Sequence, residues 1–474
     1  MLSGGYFAGR DKKLPCCGAF GSAVVLVLLF LSSCGDEHEA ATRSTVTTAT
    51  PTSSSQDSSN RCAIALTPHA GTSRTDREII RFQEEARRAT QAAAYVEKLG
   101  WAFVAKARLS FDPGFYKLAE QSALCVESKK PHSPEALLLH GHVLHNLHKF
   151  KEGETLAREL VKTRGLWFDY GLLGDVLMEQ GKLDEAVEAY QTMMDQKPGP
   201  QAYTRAAHLR WLKGDLPGAI ELMQMAAGAG SSRDPESSTW AHVRLALYEL
   251  QAGHKQKASD LISAALALQS DYAPALLARG QMLLTEEKNQ EAAASLARAA
   301  ELNPLPEYRW AQIEALQAAG RSEEAERVRE QLMQRGATDD PRTYALYLAT
   351  VGKEVDSALR LAQQELKVRA DVITLDTLAW ALRAAGNIAE ARKYSARALA
   401  EGTEDARLFY HAGVIAAASG QNPEAERWFN KAAAIQQMLL PSERAQLSKE
   451  SAALQSQKST LASDPSIRQE QSTP

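Results

Sequence analysis

A ladder of small residues runs down this sequence at Ala119, Gly153, Ala186, Ala219, Ala258, Ala292, Ala325, Ala358, Ala391 and Ala425. Successive rungs lie 34, 33, 33, 39, 34, 33, 33, 33 and 34 residues apart, a regularity that chance does not produce. A period in this range belongs to a small supersecondary unit that cannot bury its apolar face alone and must stack on its neighbours. Two other positions keep step with the rungs. Five residues before the rung stand Gly114, Gly181, Gly214, Gly253, Gly320, Gly386 and Gly420, with Gly352 six before. Glycine enters the left-handed region without steric cost, so this position predicts a tight turn between two helices. Twelve residues before the rung, Gly141, Gly174, Ala207, Ala246, Gly280, Ala379 and Gly413 would let facing helices approach closely. Tyr190, Leu296 and Phe429 are among the larger side chains available to fill the space around them.

In "GLLGDVLMEQGKLDEAVEAYQTMMDQKP", residues 171–198, Gly174, Ala186, Tyr190 and Pro198 fall at the spacing of the tetratricopeptide repeat, a helix pair of about 34 residues. Over about 93–438 the chain resembles the tetratricopeptide-repeat superfamily, and at finer grain exported bacterial proteins built from such repeats. The resemblance implies an all-α fold, a right-handed α-solenoid of about ten stacked helix-turn-helix units. The 39-residue step predicts an insertion near 228–238, and "RLSFDPGF" predicts an extended loop in a degraded first unit. A helical pattern at 76–88 and the segment "PSERAQLSKESAALQSQK" read as caps on the two ends. The expected domains are a signal peptide at 1–33, a disordered polar linker at 34–72, the array at 73–440, and a cap helix with a disordered tail at 441–474.

The N-terminus carries Arg10, Lys12 and Lys13, then an apolar core at 19–31, shorter than the roughly 20 residues a bilayer-spanning helix needs. That is the layout of an export signal. Leu31, Ser32 and Ser33 ahead of Cys34 resemble the bacterial lipobox. The resemblance implies cleavage before Cys34, acylation of that cysteine, and attachment to a lipid bilayer. Gly35, in a place where Asp usually signals inner-membrane retention, favours the outer membrane, with the chain facing the periplasm. The formal net charge is −4, and removal of the +2 signal leaves about −6, which gives no footprint for nucleic acid. Of the cysteines remaining after processing, Cys125 reads as a buried thiol, with a disulfide to Cys62 as the alternative that an oxidising periplasm permits.

Chemistry is sparse. The sequence holds no GxSxG elbow, no phosphate-binding GxxxxGK[ST] loop and no HExxH or paired CxxC, so neither an enzyme nor a cofactor is expected. The densest candidate is "LLLHGHVLHNLHKF", with four histidines. His140 falls on the packing face, and His148 takes the place of the turn glycine, where a positive φ is expected. His142 and His145 face the concave side; with Asp175 and His208 at His142's place in the next two units, they allow a metal-dependent enzyme as the alternative reading. In tetratricopeptide proteins the first helix of each unit lines a concave groove that takes peptides. Projecting that frame places His142, Asp175, His208, Trp211, Tyr347, Trp380, Arg383 and Tyr410 along it, as contacts for protein or peptide partners.

Overall fold

The computed structural model describes residues 60–230 and 234–463, with side chains to 456. The signal peptide, Cys34, the linker to residue 59 and the tail from 464 lie outside the described residues. Helix α1 (Arg74–Arg88) precedes ten antiparallel helix pairs. Unit 1 is α2 (Ala93–Ser110) with α3 (Gly114–Lys129), unit 2 is α4 (Pro134–Asn146) with α5 (Phe150–Thr163), and unit 3 is α6 (Trp167–Glu179) with α7 (Leu183–Gln196). Unit 4 pairs α8 (Pro200–Leu212) with α9 (Leu216–Gly228), unit 5 α10 (Pro235–Gln251) with α11 (Lys255–Leu268), and unit 6 α12 (Ala273–Thr285) with α13 (Asn289–Leu302). Unit 7 pairs α14 (Pro306–Ala318) with α15 (Ser322–Asp339), and unit 8 α16 (Pro341–Val351) with α17 (Val355–Val368). Unit 9 pairs α18 (Val372–Ala384) with α19 (Ile388–Leu399), and unit 10 α20 (Ala406–Ala418) with α21 (Asn422–Ala434). A short 3₁₀ turn leads to the last helix, α22 (Pro441–Ser463).

The ladder sits where the sequence predicts. Each rung lies on the second helix of its unit; the nine alanines are 0–1% exposed and Gly153 is also buried. Close approach explains the second small position: a Cβ on Gly174 would lie 2.2 Å from Tyr190 Cε1, and one on Gly280 2.3 Å from Leu296 Cγ. The turn position has a φ of 67–84° wherever glycine holds it in units 3, 4, 5, 7, 8, 9 and 10. His148 and Glu287 take its place in units 2 and 6, at 58° and 59°.

Unit 1 departs from expectation. Gly114 opens α3 instead of turning the chain, and the left-handed residue there is Phe111, at φ 55°. No extended loop forms, because α2 runs on to Ser110 and only three residues join it to α3. The Phe111 ring lies against Tyr272 of unit 6, 6.3 Å between centroids, a contact 161 residues away that no local pattern encodes. The 39-residue step is taken up partly by α10, which has 17 residues where most first helices have 13. The expected linker also ends sooner than residue 72. A disulfide joins Cys62 to Cys125, correcting the reading of Cys125 as a buried thiol. Ala65 is fully buried, and Gln83 Nε2 donates to Thr67 O at 2.6 Å, so residues 60–72 pack on α1 and unit 1.

The solenoid winds tightly enough for its turns to touch. Ala370 N donates to Glu179 O at 3.2 Å, Lys213 Nζ meets Glu401 Oε2 at 2.6 Å, and Gln437 Nε2 donates to Leu250 O at 3.0 Å. These contacts span 191, 188 and 187 residues, between five and six units. The first two set the turn within one unit against the loop between two later units, and the third sets such a turn against the 3₁₀ segment after unit 10. Gly181 serves both demands: its φ is 73°, and a Cβ would come within 2.4 Å of Ala370 O.

Candidate functional site

The first helices of units 1–4 leave a cleft of about 260 Å³. Trp101 of α2, His142 of α4, Trp167, Phe168 and Asp175 of α6, Met193 of α7 and Arg205 of α8 line it. Trp101 donates its indole N–H to Glu97 Oε1 at 3.1 Å, and its ring lies 5.3 Å from that of His142. Trp167 and Phe168 meet edge to face at 5.2 Å, with Lys197 over the Trp167 ring and Arg164 over Phe168. Gly171 lies in the wall; a Cβ there would stand 3.1 Å from Met193 Sδ. The wall is aromatic, and its charge is internally neutralised.

Neutralisation comes from a fork. Arg205 donates from Nε and Nη2 to the two oxygens of Asp175, both at 2.7 Å, and Tyr190 adds its hydroxyl at 2.8 Å. Burial pushes the Asp175 carboxyl up, but Arg205 and Tyr190 more than offset it and hold Asp175 below the usual carboxylate range. Burial pushes His142 down to about 3, so at neutral pH the ring is uncharged. His208 is held down to about 3 by burial and Arg244; its ring stacks on Trp211 at 5.6 Å, and the Trp211 indole donates to Gln251 Oε1 at 2.9 Å.

The projected groove therefore divides in two. His142 and Asp175 line the cleft, and half-buried His208 and Trp211 lie on the next first helix. Tyr347, Trp380 and Tyr410 are core, at 1%, 3% and 3% exposed, and offer a partner no surface. Trp380 stacks on the buried His411 at 4.0 Å and donates to Thr350 Oγ1 at 3.0 Å, while Arg383 lies half-buried over its ring at 4.9 Å. In the later units the projected residues pack into the core instead of lining an open groove.

A sequence model described as tetratricopeptide repeat matches residues 172–234, 243–305 and 377–437. These stretches are tetratricopeptide repeats. No curated protein matches its sequence. Among solved structures, it is similar to PilF of Pseudomonas aeruginosa, at 14% identity and TM-score 0.37, over 46% of this chain and 97% of that one. The human IFIT1 dimer with PPP-AAAA is similar at 12% identity and TM-score 0.44, over 80% and 93% of the two chains. Yeast Tom70 is similar at 15% identity and TM-score 0.32, over 84% and 100%.

Within the tetratricopeptide array, the alternative metal reading loses its ligands. Among the described residues no three His, Cys, Asp or Glu side chains gather to hold an ion. Asp175, which that reading required, has its carboxylate engaged by Arg205 and Tyr190. Trp101, Trp167, Phe168 and Arg205 went unnamed in the projection, although a signal for most of them exists. Trp101, Phe168 and Gln201 each stand 18 residues before their rung; Leu138 and Gly171 stand 15 before and Arg205 14 before; His142 and Asp175 stand 11 before. Those offsets trace one helix stripe. The first unit's poor match to the pattern concealed it.

Proposed function

We propose that this chain is a non-enzymatic scaffold that holds segments of partner proteins at the bacterial cell envelope, tethered by an acylated Cys34. The observation that carries the reading is the open aromatic cleft on the first helices of units 1–4. An apolar recess with few polar groups binds by burying a large side chain, and aromatic and Arg anchors dominate such contacts. A protruding aromatic or large aliphatic residue of an extended or helical segment fits the size and apolar character of the cleft. Tether and compartment rest on the lipobox-like run before Cys34, and the Cys62–Cys125 disulfide agrees with an oxidising compartment. Among the described residues no helix is long and apolar enough to cross a membrane.

A photo-crosslinking side chain at Gln201, exposed on the cleft rim, should trap the partner in cells. Trp101→Ala and Phe168→Ala should each weaken the purified partner by about thirtyfold, corresponding to roughly 2 kcal/mol for an aromatic anchor. Undiminished binding by the double variant would remove the cleft from the mechanism. Cys34→Ser should move the mature chain from the membrane to the soluble fraction; unchanged partitioning would defeat the acyl tether.

A further inference from the structure

In the later units α22 packs on the first helices of units 7 and 10, and the manner of that contact is specific. The N-terminus of α22 is seated between α14 and α20, the first helices of units 7 and 10. Glu314 of α14 accepts from Ser442 N at 3.0 Å and Ser442 Oγ at 2.6 Å. Arg407 of α20 forks onto Glu443, with Nε at 2.6 Å and Nη2 at 3.0 Å. Glu443 also accepts from Leu440 N at 2.9 Å, capping its own helix. Arg407 lies 5.0 Å over the Trp310 ring, which places both polar anchors on one aromatic floor. Leu447 and Leu454 follow at 2% and 6% exposure, in the same core as Trp310, Tyr347, Trp380 and Tyr410. Leu440, Leu447 and Leu454 recur every seven residues and all three are buried.

Two features mark α22 as an occupant more than a wall. It is the last of the described elements, joined to unit 10 by a short 3₁₀ turn alone. Its seat is bipolar: one fixed carboxylate that wants N–H donors, and one fixed guanidinium that wants a carboxylate four residues before a leucine. That is charge complementarity for a particular helix start.

We propose that units 7–10 form a helix-binding site, held in cis by α22, which opens without unfolding of the array and takes in trans an amphipathic helix of a partner protein. The partner helix would begin with a hydroxyl residue and Glu, and carry leucines four and eleven residues after the Glu, as Ser442, Glu443, Leu447 and Leu454 do. This surface is independent of the cleft in units 1–4.

The probe is a fluorescein-labelled peptide of residues 439–463, added to the full chain carrying Glu443→Ala, Leu447→Ala and Leu454→Ala. That variant should bind the peptide saturably, at least tenfold more tightly than the wild-type chain does. Adding Arg407→Ala should weaken binding at least tenfold. In the unmodified protein, hydrogen exchange should release α22 amides well before those of α20 and α21. Exchange of all three helices together would overturn the proposal, since α22 would then be an integral part of the array. So would loss of helical content in the released variant, or a folded variant that ignores the peptide. A wild-type dimer exchanging α22 between copies would also overturn it, by making a second copy the native occupant.

Discussion

Units 1–4 and units 7–10 carry the same ladder, yet one concave side is an open cleft and the other is packed solid. In the first, Trp101, Trp167 and Phe168 stand half-buried around about 260 Å³ of space. In the second, Tyr347, Trp380 and Tyr410 are nearly inaccessible, packed into the core that also takes in Leu447 and Leu454 of α22. An aromatic at a concave position thus becomes either an anchor for a partner or a piece of core. The position on its helix does not decide between these. What packs against it does, as His411 and Thr350 do against Trp380 from the neighbouring units.

Substituting one aromatic in each half should expose the contrast most strongly. Trp380→Ala should cost about 3–5 kcal/mol, the range for deleting a fully buried aromatic. Trp101→Ala, at a half-exposed site, should cost well under half of that while weakening partner binding about thirtyfold. Chemical denaturation followed by circular dichroism measures both; equal losses would mean that the cleft side chains are structural too.

The next largest difference belongs to the first half alone, which is stapled. Removing the Cys62–Cys125 bond by Cys62→Ser with Cys125→Ser should cost about 2–4 kcal/mol by the loop-closure argument. The loss should be local, loosening residues 60–72 and α1 while units 7–10 keep their exchange protection. A uniform loss across both halves would show that the staple supports the whole coil.

A smaller effect should be the same in both halves. Ala186→Leu and Ala391→Leu overpack equivalent crossings, both 0% exposed, and each should cost roughly 1–3 kcal/mol. A large disparity between them would break the premise that the halves differ only in what covers them.

How much of this was legible in the sequence follows from the range of each interaction. The rungs, the turn residues and the left-handed His148 were legible because helix crossing and chain reversal happen within one unit, where only a small or left-handed residue fits. The later groove residues were misjudged because Trp380 is covered by His411 and its core neighbours, and Glu443 of α22 finds Arg407 only after folding. The Cys62–Cys125 pairing and the positive φ of Phe111 depend likewise on partners that spacing does not reveal. The cleft itself lay between these cases. Its stripe was readable in the rung offsets, but its openness was not.

Acid should separate the halves by the smallest margin, and its sign is determined. His142 and His208 are held down to about 3 and His148 to about 4, chiefly by burial, with Arg244 beside His208 and Arg369 beside His148 adding to it. An unfolded histidine titrates near 6.5, so on acidification the unfolded chain takes up protons first. Their contribution is whole above about pH 6.5 and declines as the pH falls toward 4. These rings are partly solvated, so screening reduces the loss to about 1 kcal/mol each. The depressed Asp175 carboxyl acts in the same direction but only lower, below about pH 4, where an unfolded aspartate begins to protonate. All three histidines belong to units 2–4. Between pH 7 and pH 5, hydrogen exchange should therefore quicken in α4–α8 more than in α18–α20. Equal acceleration in both would mean that the inter-turn contacts, such as Arg369 with Glu179, bind the halves into one cooperative body.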